Sequence, residues 1–554
     1  MSEKYKKHFA KLGARESVKK YFPKYYDVIF SPKRSGGLAL LDFKKDEIVV
    51  DAGCMWGALT VPLARKQCRV VAIDQTEDSL ALLKQRLADE DLNNVSLVCG
   101  NLKKIRFKKN SVDKVIVNGV LEWIPEEGKI ELGKWWGKRI KRKNKNKKSP
   151  ISKQKEFLKE IYRGLKTDGK LFLAIENRFD IFNFFGDVDP HMGMRFITIM
   201  PRKIQDMMSL MFRGSRYLNW TYSPKEFKNI LREIGFTNIE IYAVFPNYRE
   251  PEIIFPLEGK SYSKANFHPI SHLNKKSFFK KVRRYLIEYV TFKKLKLFKF
   301  SPCLIAVANK NCRSIEIIRN CLHYGTVQTG FINDKNSGQK LIIKNSFYSD
   351  GAKVIEREFN GICWYADRLG RKRNEFIYKY ENNIKTAVLE MVFSEGKYGD
   401  IRLELRKNIN KLNNAVCYYN NVLNMINSEY SHGDYTLENI LFNKKDEVVR
   451  IVDWEHFNND LPKEFDLLNC VLENCIFIYR RSPKLLKEDI DIAKTLLLKV
   501  AKLAGIPYIK FKKPASYFRD LCLKYKRVFD TQIMKYPFVI CSLKDIEVLD
   551  SFFN

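Results

Sequence analysis

Residues Glu47–Asp74 read EIVVDAGCMWGALTVPLARKQCRVVAID. An apolar strand, Glu47–Asp51, runs into a tight turn bounded by Gly53 and Gly57. The spacing then predicts a helix over Ala58–Arg65 and a second apolar strand, Arg69–Ile73, that ends at Asp74. Strand, glycine turn, helix and strand make the opening βαβ unit of a doubly wound sheet. The glycines let backbone approach a nucleotide-like ligand, and an acid at the end of the second strand accepts hydrogen bonds from both ribose hydroxyls. This much would also suit a dinucleotide. The turn, however, lacks the full GxGxxG that a pyrophosphate demands.

The pattern continues outward. A third strand, Val95–Cys99, is followed by Gly100-Asn101-Leu102. A fourth, Val112–Val117, runs into Asn118-Gly119-Val120-Leu121-Glu122-Trp123. Gln154–Leu165 is an amphipathic helix, Thr167-Asp168-Gly169 a turn and Lys170–Ile175 a fifth strand. Asn238–Phe245 and Pro302–Ala308 fit a closing antiparallel pair. Taken together, residues of about 40–310 resemble class I S-adenosylmethionine-dependent methyltransferases. The resemblance implies that Asp51 reaches the ligand's amino group, Gly53 and Gly57 form the turn beneath it, and Asp74 holds the ribose. Asn101 and Leu102 then flank adenine, and Asn118 opens the fourth-strand motif. Three positions depart from the family pattern: Met55 replaces the central glycine of the turn, Asn101 replaces the usual Asp, and Lys170 replaces a second glycine. Met55 is tolerable only if its side chain points away from the ligand. Glu176-Asn177-Arg178-Phe179 and Phe245-Pro246-Asn247-Tyr248 further resemble segments of methyltransferases encoded with surface-polysaccharide enzymes. They lie at carboxyl ends of strands, where substrate enters such a sheet. Glu176, Arg178 and His191 are therefore candidate acceptor-site residues, with His191 the candidate base.

A second constellation lies at Ser431–Glu455, SHGDYTLENILFNKKDEVVRIVDWE. Asn439 follows Asp434 by five residues, and the strands Asn439–Phe442 and Val448–Val452, joined by a short turn, return Asp453 beside them. One Asp to accept the proton of an attacking hydroxyl, with an Asn and a second Asp to hold Mg²⁺ against nucleotide phosphates, is how kinase-type phosphotransferases are built. The stretch resembles the aminoglycoside-phosphotransferase and choline-kinase branch of the protein-kinase-like fold. That resemblance implies Asp434 as catalytic base, Asn439 and Asp453 as metal ligands, and ATP as donor. Upstream, Lys344 on the strand Leu341–Lys344 would hold the α- and β-phosphates, oriented by Glu358. The strand Ala387–Phe393 would meet adenine near Glu390 and Val392. Downstream, Glu464–Leu468 looks like the segment that braces the catalytic loop.

The chain has 554 residues, a formal net charge of +36 and 45% hydrophobic content. That length implies more than one core. The charge attracts anions, whether nucleic acid, an acidic leaflet, nucleotides or a phosphorylated substrate, although a biased genome would also enrich Lys. The 12 Cys form no metal-spaced cluster and read as reduced, core-filling residues of a cytoplasmic protein. No secretory leader and no transmembrane span are expected. Residues 126–150 form a basic insert containing two tryptophans. Residues 275–300 form a basic helix whose stripe of Phe278, Phe279, Val282, Tyr285, Leu286, Tyr289 and Val290 either packs on the protein or lies at a membrane interface.

The expectation is an α/β protein with two parts. Residues 1–310 form a Rossmann-like methyltransferase domain on a doubly wound, mostly parallel sheet, and 311–554 a bilobal kinase-like domain with an all-helical C-lobe. A methyltransferase fused to a kinase resembles bacterial O-antigen chain-terminating enzymes. The expected partners are S-adenosylmethionine, ATP, Mg²⁺ and a lipid-linked or soluble glycan acceptor, with peripheral contact to an anionic inner membrane face. Competing readings are an RNA methyltransferase, a methyltransferase regulated by a pseudokinase, and an antibiotic or sugar kinase with an appended methyltransferase.

Overall fold

The computed structural model describes residues 3–125, 149–189, 191, 193–213, 216–258, 269, 277–310, 316–324, 326–334, 340–383, 385–425, 428–507, 512–525 and 543–553. Most of the basic insert expected at 126–150, and Gly325, lie outside these residues. The chain forms two compact units: Met1–Ser349 with Ile384–Thr386, and Asp350–Asn383 with Ala387–Asn554.

In the first unit the strands are β1 (Ile48–Ala52), β2 (Arg69–Asp74), β3 (Val95–Cys99), β4 (Val112–Asn118) and β5 (Leu165–Glu176), then β6 (Asn238–Phe245), β7 (Ile253–Pro256) and β8 (Cys303–Asn309). Their order is β3-β2-β1-β4-β5-β8-β6-β7. β1 to β5 pair in parallel, and β8 lies antiparallel between β5 and β6. β1 and β4 carry uninterrupted apolar runs because a central parallel strand is covered on both faces; Val115, Ile116 and Val117 are fully buried. Edge strand β3 is only partly covered. The helix Pro150–Gly164 starts at Ser149, whose side chain accepts from the Ser152 N–H, and buries Phe157, Leu158 and Ile161 in the main core. The turn expected at Thr167–Gly169 survives as an irregularity inside β5. Pairing jumps from Val112↔Leu165 to Lys114↔Lys170, so residues 166–169 loop out.

The pair expected at the end of the sheet is present as β6 and β8, and β7 is added beyond it. Three further antiparallel strands, β9 (Glu316–Tyr324), β10 (Val327–Asp334) and β11 (Lys340–Ser346), continue from β7 through Ile253↔Leu322. They cover an edge that β7 would otherwise leave open. Residues 316–346, which fall in the domain expected from 311 onward, therefore belong, by compactness, to the first unit.

The second unit contains the helix Ser349–Arg368 from Asp350 on, and strands β12 (Ile377–Asn383) and β13 (Thr386–Val392), the latter from Ala387 on. A small sheet follows: β14 (Lys397–Tyr398), β15 (Ile440–Phe442) and β16 (Val448–Ile451). The helices Leu405–Cys417, Phe465–Arg481 and Ile490–Ala504 carry much of its core. Nine of the cysteines among the described residues are free thiols. Among the described residues, no helix is long and apolar enough to cross a membrane.

Candidate functional site

In the first unit the candidate residues gather at the carboxyl ends of β1, β2, β4, β5 and β6. The turn after β1 has positive φ at Gly53 (85°), Met55 (45°) and Gly57 (76°). Met55 thus sits in a conformation that a glycine would adopt without strain. Met55 is 42% exposed. Its N–H donates to Asp74 Oδ2 at 3.0 Å, and the Thr76 N–H donates to Oδ1 at 2.9 Å. Asp74 is therefore aimed by the turn that precedes it in the sheet. The Gly100 N–H donates to the Asp74 carbonyl at 2.8 Å, which sets Asn101 beside the same strand end. Asn101 itself is exposed, and Leu102 packs on the core.

Asp51 is buried and accepts from Thr60 Oγ1 at 2.6 Å. Burial pushes its pKa to about 6, with the Asp74 carboxylate adding to the rise. Burial also raises Asp74, against the two N–H groups that donate to it. Two buried carboxylates at neighbouring strand ends favour a ligand carrying positive charge, such as a sulfonium or an ammonium, and disfavour a pyrophosphate. At the end of β4 the Asn118 Oδ1 is buried without a hydrogen-bond partner among the described residues. An unpaired buried acceptor is costly unless a ligand supplies a donor. These residues fit S-adenosylmethionine: Asp51, Asp74 and Asn118 would hold it, and its sulfonium would supply an activated methyl group. Asp74→Ala should weaken S-adenosylmethionine binding by about tenfold or more, measured by calorimetry, because it removes a ribose acceptor and orphans two turn N–H groups.

Beyond β5 and β6 lies a second cluster. His191 Nε2 and Glu176 Oε2 are 2.6 Å apart, and the His191 ring stands edge-on to Trp123 at 4.8 Å. Burial works to lower the His191 pKa, but the Glu176 carboxylate outweighs it and lifts the value to about 9. The rise favours the protonated, donor form of this imidazole over the base role expected for it. Arg178 does not join the cluster. Its guanidinium donates to Glu226 at 2.8 Å and to the Thr198 and Met200 carbonyls, fastening residues 198–200 to the sheet.

Three residues that the sequence reading did not single out belong here. Glu122 is fully buried, and its Oε2 has no partner among the described residues. Tyr248 OH lies 3.4 Å from Glu122 Oε1. Arg249 interacts with Tyr248, Glu176 and Glu122, which outweigh its burial and hold its pKa above the ordinary value. Burial and the Glu176 charge raise the Glu122 pKa. The signal was present, since Glu122 stands in the segment after β4 and Tyr248 in the FPNY segment, but only folding brings them together. Arg34, from the leading segment, is half-buried, and its buried Nε is unpartnered among the described residues.

In the second unit the loop after Ser431 is held from below. Asp466 accepts from the His432 and Gly433 N–H groups at 2.7 and 2.9 Å and from Tyr419 OH at 2.8 Å. His432 is fully buried, and burial lowers its pKa to about 3, so it stays neutral. Its Nε2 lies 3.1 Å from the Val452 carbonyl, and its Nδ1 accepts from the Asp434 N–H. Asn439 Nδ2 donates to Asp434 Oδ2 at 3.0 Å, and Asn469 Nδ2 to Oδ1 at 3.3 Å. Burial raises the Asp434 pKa, and the Asp453 charge adds to it. The hairpin pairs Ile440 with Ile451 and returns Asp453, at φ 64°, toward the loop. Carboxylate oxygens of Asp453, Glu358 and Glu455 lie within 4.8 Å of one another, and Glu358 is buried. Such a hard oxygen set fits Mg²⁺. Val392, expected to meet adenine, spends its N–H on the Phe376 carbonyl and its own carbonyl on Arg450. Glu390 lies on β13, in the same unit. Lys344 is buried on β11 in the first unit.

Residues 49–135 match the family model for a methyltransferase domain. The first unit carries a methyltransferase domain. The chain is 28% identical over 137 residues to a carboxy-S-adenosyl-L-methionine synthase of a Shewanella species, covering 24% of this chain and 45% of that one. It is 31% identical over 93 residues to a probable cobalt-precorrin-6B C(15)-methyltransferase (decarboxylating) of Methanocaldococcus jannaschii, covering 15% and 51% respectively. It thus spans about half the length of these curated relatives. A solved structure of a SAM-dependent methyltransferase from Aquifex aeolicus aligns with a TM-score of 0.24 at 16% identity, over 40% of this chain and 88% of that one.

Proposed function

We propose that the protein methylates an acceptor from S-adenosylmethionine through its first unit and phosphorylates a hydroxyl from ATP through its second. The observation that carries the methyl-transfer half is the gathering of buried Asp51 and Asp74 at the ends of β1 and β2 and of Glu122, Glu176, His191 and Tyr248 at the ends of β4, β5 and β6. Methyl transfer from a sulfonium needs alignment, and a proton acceptor when the attacking group is a hydroxyl. Glu122 is that acceptor: it is buried, one oxygen is unpartnered, and its raised pKa brings it toward the working range. The His191–Glu176 pair and Arg249 hold the acceptor in place. A glycan borne on a phosphorylated or lipid carrier suits these cations and the net charge of +36.

The phosphotransfer half is supported by the braced loop. Asp434, oriented by two side-chain amides, would take the proton of the attacking hydroxyl. Asp453, with Glu358 and Glu455 near it, would hold Mg²⁺, and Asn439 would complete the metal site from the loop. Burial raises the Glu473 pKa, and the Asp434 and Glu438 charges add to the rise, so a cation seated among these three acids would relieve them. This favours a second reading in which the phosphoryl acceptor is a small cationic molecule.

Mass spectrometry after incubation with both donors and candidate glycans tests the proposal. A gain of methyl and of phosphate on one glycan is expected; with aminoglycosides or amino sugars phosphorylated instead, the second reading stands. Because only ionised Glu122 accepts a proton, and burial has raised its pKa, methyl transfer should climb as pH rises through neutrality and then level off. Glu122→Gln should lose about 10²-fold or more in kcat together with that rising limb. A retained limb would assign the proton acceptor elsewhere.

A further inference from the structure

The residues between β5 and β6, and those leading into β8, build a face whose polarity is inverted. Helix Arg202–Arg213 buries Gln205 and Ser209 and exposes Ile204, Met207, Leu210, Met211 and Phe212, with Met211 73% exposed. Gln205 is satisfied inward by the Thr198 and Met200 carbonyls. Helix Phe278–Glu288 does the same: Glu288 is fully buried, while Phe279 is 83% exposed and Phe278, Val282 and Leu286 also face outward. The stripe that the sequence offered either to the core or to a membrane interface is therefore not spent on the core. Helix Phe278–Glu288 is tied to residues 182–187, which precede the other helix in the same excursion. Arg283 and Arg284 both pair with Asp187, and Arg284 lies 3.8 Å from the Phe182 ring centroid. The exposed Phe184 ring meets Phe300 at 5.9 Å, and exposed Phe196 lies against Gly186.

Folding normally turns apolar residues inward, and contiguous exposed patches of this kind mark a surface that is covered in use. What covers this one is indicated by its charge. Residues 278–300 hold eight Lys and Arg against a single acid, and that acid, Glu288, is buried. Exposed lysines such as Lys280, Lys281, Lys294 and Lys299 alternate with the apolar side chains. Aliphatic and aromatic residues set among lysines match the boundary between acyl chains and anionic headgroups. Stacking on nucleic acid would call for aromatic platforms, whereas half of this face is Met, Leu, Ile and Val.

We propose that this face docks the protein on an anionic lipid leaflet. The excursion that carries Phe184, Phe185 and Val188 also carries His191 of the acceptor cluster, so docking places that cluster at the leaflet. The inference rests on the exposed face alone and stands whatever the acceptor is.

Sedimentation of the full chain with vesicles tests it. Phosphatidylcholine vesicles containing phosphatidylglycerol should bind at least about tenfold more protein than vesicles of phosphatidylcholine alone, and added salt should weaken the binding. Phe278→Ser/Phe279→Ser and, separately, Met207→Ser/Met211→Ser should each lower that binding about tenfold. Lys280→Glu/Lys281→Glu should lower it on anionic vesicles only. S-adenosylmethionine affinity, measured by calorimetry, should be unchanged in all three variants, showing that the fold is intact. Equal binding to neutral and anionic vesicles, or variants that bind like the parent chain, would overturn the proposal. So would concentration-dependent self-association, or RNA binding, that the same serine variants abolish while vesicle binding persists.

Discussion

Asp434→Ala is expected to lower phosphoryl transfer from ATP by about 10²- to 10⁴-fold while leaving methyl transfer unchanged. The geometry gives two reasons for so large an effect. The carboxylate is fixed on both oxygens, by Asn439 Nδ2 and Asn469 Nδ2, so it presents one orientation to an incoming hydroxyl. The loop beneath it is pinned at two successive N–H groups by Asp466. Preorganisation of this kind is lost entirely when the carboxylate is removed. Asn439→Ala and Asp466→Ala separate the contributions. The former frees one Asp434 oxygen and should raise the Mg²⁺ requirement as well as lower the rate. The latter leaves Asp434 in place and loosens its loop, so it should cost stability too, by about 2–3 kcal/mol for orphaned buried N–H groups. Phosphate release from ATP and transfer to a glycan, followed at several Mg²⁺ concentrations, are the measurements. An Asp434→Ala protein that transfers phosphate at the parent rate would remove Asp434 from the chemistry.

Much of the first unit was legible because its signals are local and agree with one another. The run Ile48–Asp51, the glycine turn and Asp74 at the next strand's end each have one structural solution in a parallel sheet, and the structure adopts it. The same holds for the hairpin that returns Asp453 toward Asp434, where strand pattern and turn residues coincide. What sequence could not supply was contact between residues far apart in the chain. Glu122 and Tyr248 are 126 positions apart, and neither has a local pattern that marks it as ionisable chemistry in a core. The His191 charge state depends on Glu176, which burial alone would have led one to misjudge. The strands at 316–346 read as the start of a second domain because their alternation carries no information about which sheet edge they join. The stripe at Phe278–Leu286 has helical spacing, and spacing alone does not say which side of a helix meets water.

Gly119→Ala should reduce methyl transfer by about 10²-fold or more, because it strikes the join between donor and acceptor sites. Gly119 has φ 68°, a conformation that costs an alanine about 1–2 kcal/mol. An added Cβ would stand 2.4 Å from both Cε2 and the hydroxyl of Tyr248. Tyr248 is nearly fully buried, so its ring has no free direction in which to yield. Overpacking of this kind costs a further 1–3 kcal/mol, roughly, and displaces the hydroxyl from Glu122. Gly370→Ala is the internal comparison. Its φ is 62°, yet a Cβ there meets nothing within 4 Å, so it carries the backbone strain without the clash. Thermal melts should therefore rank the parent chain, Gly370→Ala and Gly119→Ala in falling order, with only the last losing methyl transfer. Adding Tyr248→Ala to Gly119→Ala removes the clash but leaves a cavity that costs about 3–5 kcal/mol, so the double variant should recover neither the melting temperature nor the activity, the hydroxyl facing Glu122 being absent. If Gly119→Ala melts and turns over like Gly370→Ala, the contact between the Asn118 turn and Tyr248 is not what couples the two sites.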